Sequence, residues 1–214
     1  MRWLRYFLLA PPIAVLALAA YSYFTGSLKF HGGPLPWTIS YDLSPTEQRR
    51  LLPKTALAKQ FTAAHGYNTR IAFLLDMSLA SGKNRFFVAD LEKDSILLAG
   101  LVAHGSGNKS FSVNPVFSNT HGSSCSALGK YKIGNFYTGQ FGAAYKLHGL
   151  DPTNDQAFHR NIVLHAYDCV PEGETYPYPI CNSRGCAMVS PAFLKRLQSL
   201  IDHSQQPILL WIFD

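Results

Sequence analysis

The residues of this chain best suited to nucleophilic chemistry on a carbonyl are a cysteine and a histidine. Cys186 closes the run Ser183, Arg184, Gly185, Cys186 within CNSRGCAMVS, five positions after Cys181. A cysteine attacks as its thiolate and needs a base or a positive field beside it; histidine is the usual base because its pKa lies near neutrality. His165 ends the apolar run from Asn161 to His165, which reads as a strand, whereas Cys186 lies in a Gly-bearing turn just before a helix. An intervening loop can return one to the other. Gly185, lacking Cβ, would let a substrate carbonyl approach and let backbone N–H groups turn toward an oxyanion. Arg184 and Ser183 would hold a substrate carboxylate or the turn itself. On these residues alone Cys186 stays open between nucleophile, disulfide half, metal ligand and small buried side chain.

The elements that must position this pair are mostly strands. RIAFLLDMSL, NRFFVADL and SILLAGLVAHG are short and apolar, separated by SGKN and LEKD, the layout of consecutive antiparallel strands with tight turns. Residues 104 to 150 are dense in Gly, Ser and Asn and read as further strands, from aromatic runs such as KYKIGNFYTG, with exposed loops. PILLWIF closes the chain as a strand. Helical signals flank the strands. SPTEQRRLL places Ser44 as N-cap, Pro45 at the first helical position and Glu47 in a capping box; a second helix runs to about Ala64, with Gly66 to end it. Near the C-terminus Ser190 caps, Pro191 starts a helix, and Phe193, Leu194, Leu197, Leu200 and Ile201 form its apolar face. Strands with a few flanking helices predict a β-rich α+β domain.

The 214 residues suffice for one domain beyond any targeting segment. Arg2 and Arg5 precede an uncharged run from Tyr6 to Ser27, and the next positive charge is Lys29. Residues 1 to 25 therefore read as an uncleaved signal anchor, with a cleavable signal peptide as the alternative. The flanking charges put the N-terminus in the cytoplasm and the body on the periplasmic side of the inner membrane, where disulfides persist. Residues 26 to 68 read as a Gly- and Pro-rich linker followed by short helices, and 69 to 214 as the main domain. The net charge of +6 suits anionic lipid headgroups or an acidic wall polymer. No Lys/Arg stripe marks a nucleic-acid interface.

SRGC beside a strand-terminal histidine resembles the Ser-x-Gly-Cys signature of murein L,D-transpeptidases, the YkuD-like group of cysteine acyltransferases. The resemblance extends through FLLDMSLASGKNRFFVADLEKDSILLAGLVAHGSG, FSNTHGSSCSALGKYKIG, TGQFGAAYKLHGLDPTND and RNIVLHAYD, in that order, over roughly residues 70 to 213. It implies a sandwich-like or barrel-like sheet with flanking helices and no cofactor. It also implies that Cys186, with His165 as general base and Ser183, Arg184 and Gly185 in support, attacks the peptide bond after the L-centre of a diamino acid in a peptidoglycan stem peptide. A terminal D-amino acid leaves, and the thioester is resolved by a neighbouring amine, giving a cross-link, or by water, giving an L,D-carboxypeptidase. Carbapenem-type β-lactams are the implied inhibitors. The competing class is a wall-binding module that kept the fold without efficient chemistry.

Two departures stand out. The family often has Gly after the histidine where this chain has HAYD, and CVPEGETYPYPIC lengthens the interval to Cys186. Cys169 and Cys181 bracket that extra loop, and in an exported protein a disulfide between them would staple twelve positions. The alternative is zinc held by Cys169, Cys181, Cys186 and His165 or His159, for which a close Cys pair is missing. The orienting acceptor for the histidine is often a backbone carbonyl in this family; Asp168 is a substitute that reads more simply as a solvated turn residue. Cys125 reads as a loop residue near the site, His104 and His121 as turn residues. His121, Ser123, Ser124 and Tyr137 are further candidates for substrate contact.

Overall fold

The computed structural model describes residues 40–214; the expected N-terminal anchor and the linker up to residue 39 lie outside the described residues. Helix α1 spans Pro45–His65. Ser44 and Glu47 cap each other's backbone N–H groups, Pro45 opens the first turn, and Gly66 closes the helix with φ of 71°. One continuous helix thus replaces the two short ones expected. Pro53 sits inside it, where it removes a backbone donor. The helix runs on because Leu51, Thr55, Ala58 and Thr62, at helical spacing, bury one continuous face.

That face packs on a single eight-stranded sheet with the order β3-β2-β1-β8-β4-β5-β6-β7. The strands are β1 (Ile71–Asp76), β2 (Phe86–Asp90), β3 (Ser95–Gly100), β4 (Gly129–Gly139), β5 (Gly142–Gly149), β6 (Val163–Ala166), β7 (Ala187–Val189) and β8 (Leu209–Phe213). β1 and β2 are buried on both faces, which is why they read as unbroken apolar runs. Ala72 and Leu74 face α1 with Leu51 and Ala58. Alternation sends Phe73 to the opposite face, where it meets Phe86, and Phe86 in turn meets Phe193 edge-on with centroids 5.3 Å apart. Phe193 belongs to helix α2 (Pro191–Asp202), capped by Ser190. The two helices therefore cover opposite faces of an α+β sheet.

Two details of topology position the site. Pairing is antiparallel except for β1 with β8 and β6 with β7. Ala103, just past β3, bridges Met188 of β7, its N–H donating to the Met188 carbonyl at 2.8 Å. The two ends of the sheet thereby curl toward each other in a barrel-like manner. β4 and β5 form a hairpin in which Gly139 pairs with Gly142, leaving Gln140 and Phe141 as its tip. Gly142 has φ of 79°, a conformation that glycine adopts without strain.

Candidate active site

β6 and β7 pair in parallel, Leu164 with Ala187 and His165 with Met188. Side chains alternate between faces along a strand, so His165, Met188 and the residue two before it, Cys186, project to one side. His165 and Cys186 are diagonal neighbours across the pair, a spacing that longer side chains bridge. Both line an open cleft of about 560 Å³ with Asn182, Arg184, Phe141 and Tyr167.

His165 is 5 % exposed, and its Nδ1 lies 3.0 Å from the Ala166 carbonyl oxygen. A carbonyl only accepts, so Nδ1 carries the proton and the Nε2 lone pair is left to take another. The Phe141 ring stacks on the imidazole at 5.3 Å, and Tyr167 stands edge-on to Phe141 at 5.5 Å. Burial lowers the His165 pKa below the ordinary imidazole value, and the Ala166 carbonyl offsets part of that fall.

Cys186 is half-buried, with its thiol 3.8 Å from the Asn161 carbonyl oxygen. Burial pushes its pKa up, while the Val163 N–H and the charges of Arg160 and Lys146 pull it back. With the thiol raised and the imidazole lowered, the resting pair at neutral pH is thiol and neutral imidazole rather than thiolate and imidazolium.

The turn before the cysteine is braced from within. The Ser183 hydroxyl donates to the Cys186 carbonyl at 2.8 Å and accepts the Gly185 N–H at 3.1 Å. Ser183 is thus a 6 %-exposed strut, and the Gly185 N–H is already engaged. Gly185 has φ of 109°, and a Cβ there would lie 2.6 Å from the Cys125 carbonyl oxygen. That same oxygen accepts from Arg160 Nη2 at 2.7 Å, and Arg160 Nη1 donates to the Ser118 carbonyl at 2.8 Å. Arg160 consequently ties the 118–125 loop against the back of the turn. Arg184 is exposed at the cleft and makes no hydrogen bond or ion pair among the described residues.

A family profile described as the L,D-transpeptidase catalytic domain matches residues 46–211. The chain belongs to the L,D-transpeptidase catalytic-domain family. Among solved structures it is similar to an L,D-transpeptidase from Xylanimonas cellulosilytica, at 14% identity over 72% of this chain and 68% of that one, with a TM-score of 0.37. It is also similar to the helical cell shape determining protein Pgp2 from Campylobacter jejuni, at 12% identity over 75% of this chain and 54% of that one, with a TM-score of 0.43. No curated protein matches the chain.

In this L,D-transpeptidase domain the long excursion between histidine and cysteine is pinned at several points. Cys169 and Cys181 form a disulfide, which occupies two of the thiols that a zinc site would use. The Thr175 and Tyr176 N–H groups donate to the Gly82 carbonyl, Asn84 N–H donates to the Glu174 carboxylate at 2.8 Å, and Ile180 N–H to the Ser81 hydroxyl. Glu172 accepts the Ala192 N–H in the first turn of α2 at 3.2 Å, where a carboxylate also complements the helix dipole. The excursion is thereby docked on the β1–β2 connection.

A second layer lies under Asn182. Its amide exchanges two hydrogen bonds with the backbone of Ser112, at 2.7 and 2.9 Å. His104 is a buried member of this layer, not the turn residue expected: Arg85 Nη2 donates to its Nδ1 at 2.8 Å, so its Nε2–H points to the Ser112 carbonyl at 3.1 Å. Arg85 is itself fully buried, held by the Val102 and Leu79 carbonyls. Burial lowers Arg85 to about 10, and burial together with the Arg85 charge lowers His104 to about 4.

The remaining sequence candidates are not among the residues lining the cleft, although Cys125 lies behind it, as expected, with its carbonyl against Gly185. His121 is exposed in a turn, the Ser123 hydroxyl accepts from Arg160 at 3.2 Å, and Ser124 gives its carbonyl to the Gly107 N–H. Lys146 sits over the Tyr137 ring. Cys125 is buried, with its thiol directed to the Ser123 carbonyl. Asp168 makes no hydrogen bond to His165, whose partner is the Ala166 carbonyl. Sequence reading passed over Arg160, Asn182 and Phe141; the one signal that could have marked them was proximity in the chain to a candidate residue or to a hairpin tip.

Proposed function

We propose that the domain is a peptidoglycan L,D-transpeptidase that works through a thioester on Cys186, held at the periplasmic face of the inner membrane by an uncleaved N-terminal anchor. His165 Nε2 takes the thiol proton as Sγ attacks the carbonyl after the L-centre of the stem-peptide diamino acid. The imidazolium then gives that proton to the amine of the departing D-amino acid. The C–N bond breaks as the C–S bond remains, dividing one amide exchange into two easier steps. Arg184, uncommitted at the cleft, faces the carboxylate of the departing residue. With the Gly185 N–H engaged by Ser183, the oxyanion falls to the neighbouring N–H groups of Arg184 and Cys186.

The reading rests on the shared face of β6 and β7, on which the imidazole, its Nδ1–H anchored to a backbone carbonyl, and the thiol open into one cleft. The basic and then apolar N-terminus supports the location. The test is incubation with purified muropeptides, with products read by mass: cross-linked dimers mark amine acceptors, and trimmed stems mark water. Cys186→Ala is expected to abolish both. Unchanged cross-linking by that variant would overturn the reading.

A further inference from the structure

Lys146, Val163 and Cys186 form a row across three strands. Lys146 of β5 pairs with Val163 of β6, and continuing the β6–β7 register by one residue sets Cys186 opposite Val163. Residues opposite one another in a sheet share a face, so the lysine and cysteine side chains leave the face that carries His165. One residue touches both. Asn161 accepts the Lys146 ammonium on its side-chain oxygen at 2.9 Å, and its main-chain carbonyl oxygen lies 3.8 Å from the Cys186 thiol. It does so from a left-handed conformation, φ of 57°, which asparagine adopts more readily than most residues. The ammonium is further held over the Tyr137 and Phe158 rings, 5.3 and 5.7 Å from their centroids. No carboxylate pairs with it among the described residues. Its charge therefore stays uncancelled, and it offsets part of the burial that disfavours a charged Cys186 sulfur.

We propose that Lys146 is a positioning residue for Cys186: an ammonium clamped by Asn161 and two aromatic rings, whose field steadies the thiolate formed when His165 takes the thiol proton. Its catalytic consequence rests on the acyl-transfer reading above; its effect on the thiolate does not. As the proton leaves Sγ for His165 Nε2, a thiolate and an imidazolium appear together from a neutral pair. The sulfur then carries a full negative charge in a half-buried place, where a cation nearby is worth more than in water. Lys146 supplies that cation on the same sheet face. Because Asn161 and the rings already fix the ammonium in the folded chain, no group has to reorganise at the moment the charge appears. The same clamp accounts for a half-buried lysine that has no acidic partner among the described residues.

Two measurements test the proposal. The first is alkylation by iodoacetamide, which reads the thiolate without any cell-wall substrate; modification at Cys186 is followed by peptide mass, since Cys125 is also free. Lys146→Met is expected to react about threefold more slowly than the parent at pH 8, through a midpoint raised by about half a pH unit, and Lys146→Arg to recover the parent rate. The gap is expected to close in about 1 M salt, where the Debye length falls to about 3 Å. Asn161→Gly, which keeps the left-handed turn but releases the ammonium, is expected to fall between the parent and Lys146→Met. Equal rates for the parent and Lys146→Met, or a gap that neither Lys146→Arg nor salt closes, would overturn the proposal. The second measurement separates positioning from substrate contact. Muropeptide affinities of Cys186→Ala and of the Cys186→Ala, Lys146→Met double variant are expected to agree within about twofold. The cross-linking rate of Lys146→Met at saturating muropeptide is expected to fall with its alkylation rate. An affinity about tenfold weaker in the double variant, with alkylation unchanged in Lys146→Met, would make the lysine a substrate contact and overturn the proposal. A parent that leaves muropeptides unchanged, yet shows the expected dependence of alkylation on Lys146, would remove the acyl-transfer reading and leave the role of Lys146 at the thiolate standing.

Discussion

Arg160 grips the carbonyl oxygen of Cys125 at 2.7 Å, and that oxygen faces Gly185, the residue immediately before Cys186. A single guanidinium therefore fixes the loop behind the turn and also contributes positive potential at the Cys186 thiol. Arg160→Ala removes both effects. We expect slower alkylation of Cys186 by iodoacetamide at pH 8 and a stability loss of about 1–3 kcal/mol in chemical denaturation. Arg160→Lys, which keeps the charge but not the fork, is expected to recover the alkylation rate more than the stability. An alkylation rate in Arg160→Ala equal to that of the parent would remove the electrostatic role.

The pair of shifts at the site makes a second prediction. With Cys186 raised by burial and His165 lowered by burial, the resting enzyme holds a neutral pair. The alkylation rate of Cys186 is expected to rise with pH to a midpoint above the ordinary cysteine range. With His165 as the proposed base, catalysis is expected to persist on the acid side until pH falls below the ordinary imidazole value. A reactive thiolate with a midpoint below pH 7 would instead indicate an ion pair.

His104 links stability to acid. Its folded pKa, about 4, lies below the ordinary value of 6.5, so between those values the unfolded chain binds a proton that the folded chain refuses. The contribution is complete above about pH 6.5, declines as pH falls toward about 4, and amounts to about 3 kcal/mol over that window. Urea denaturation of the parent at pH 7 and pH 4.5, compared with His104→Gln, measures it. The variant is expected to be less stable at pH 7 and to lose less on acidification.

The Cys169–Cys181 disulfide closes a short loop. Restricting the unfolded chain over such a span stabilises the fold by about 3 kcal/mol. Reduction, or the Cys169→Ser and Cys181→Ser double variant, is expected to lower the thermal midpoint. It is also expected to slow acylation of Cys186, because both half-cystines line the cleft. Unchanged acylation on reduction would show that the backbone contacts to Gly82 and Asn84 hold the excursion unaided.

Local chemistry made much of the fold legible. Ser44 with Glu47, Gly66, and Ser190 with Pro191 mark helix ends through contacts a few residues long, and these stand where expected. The run around Pro53 was misread as two helices because the buried face that carries α1 past the proline belongs to tertiary packing. His165 and Cys186 could be nominated from residue type and neighbourhood. Arg160, His104 and Asn182 could not be read that way: the groups they bind are chiefly backbone carbonyls and distant loops, such as Cys125 for Arg160 and Ser112 for Asn182. A hydrogen bond to a peptide oxygen leaves no mark on the residue that owns it.

The parallel register of β6 and β7 has a consequence for how this site can diversify. The ladder of β6 and β7, which pairs His165 with Met188, holds His165 and Cys186 as diagonal neighbours, whatever the count of residues between them. Chain length in the excursion is thereby uncoupled from the spacing of the proposed pair. Residues can be inserted, deleted or exchanged between the two half-cystines, remodelling what borders the cleft, without moving His165 relative to Cys186. The excursion is a cassette, free to vary in sequence and length while the pair beneath it stays fixed.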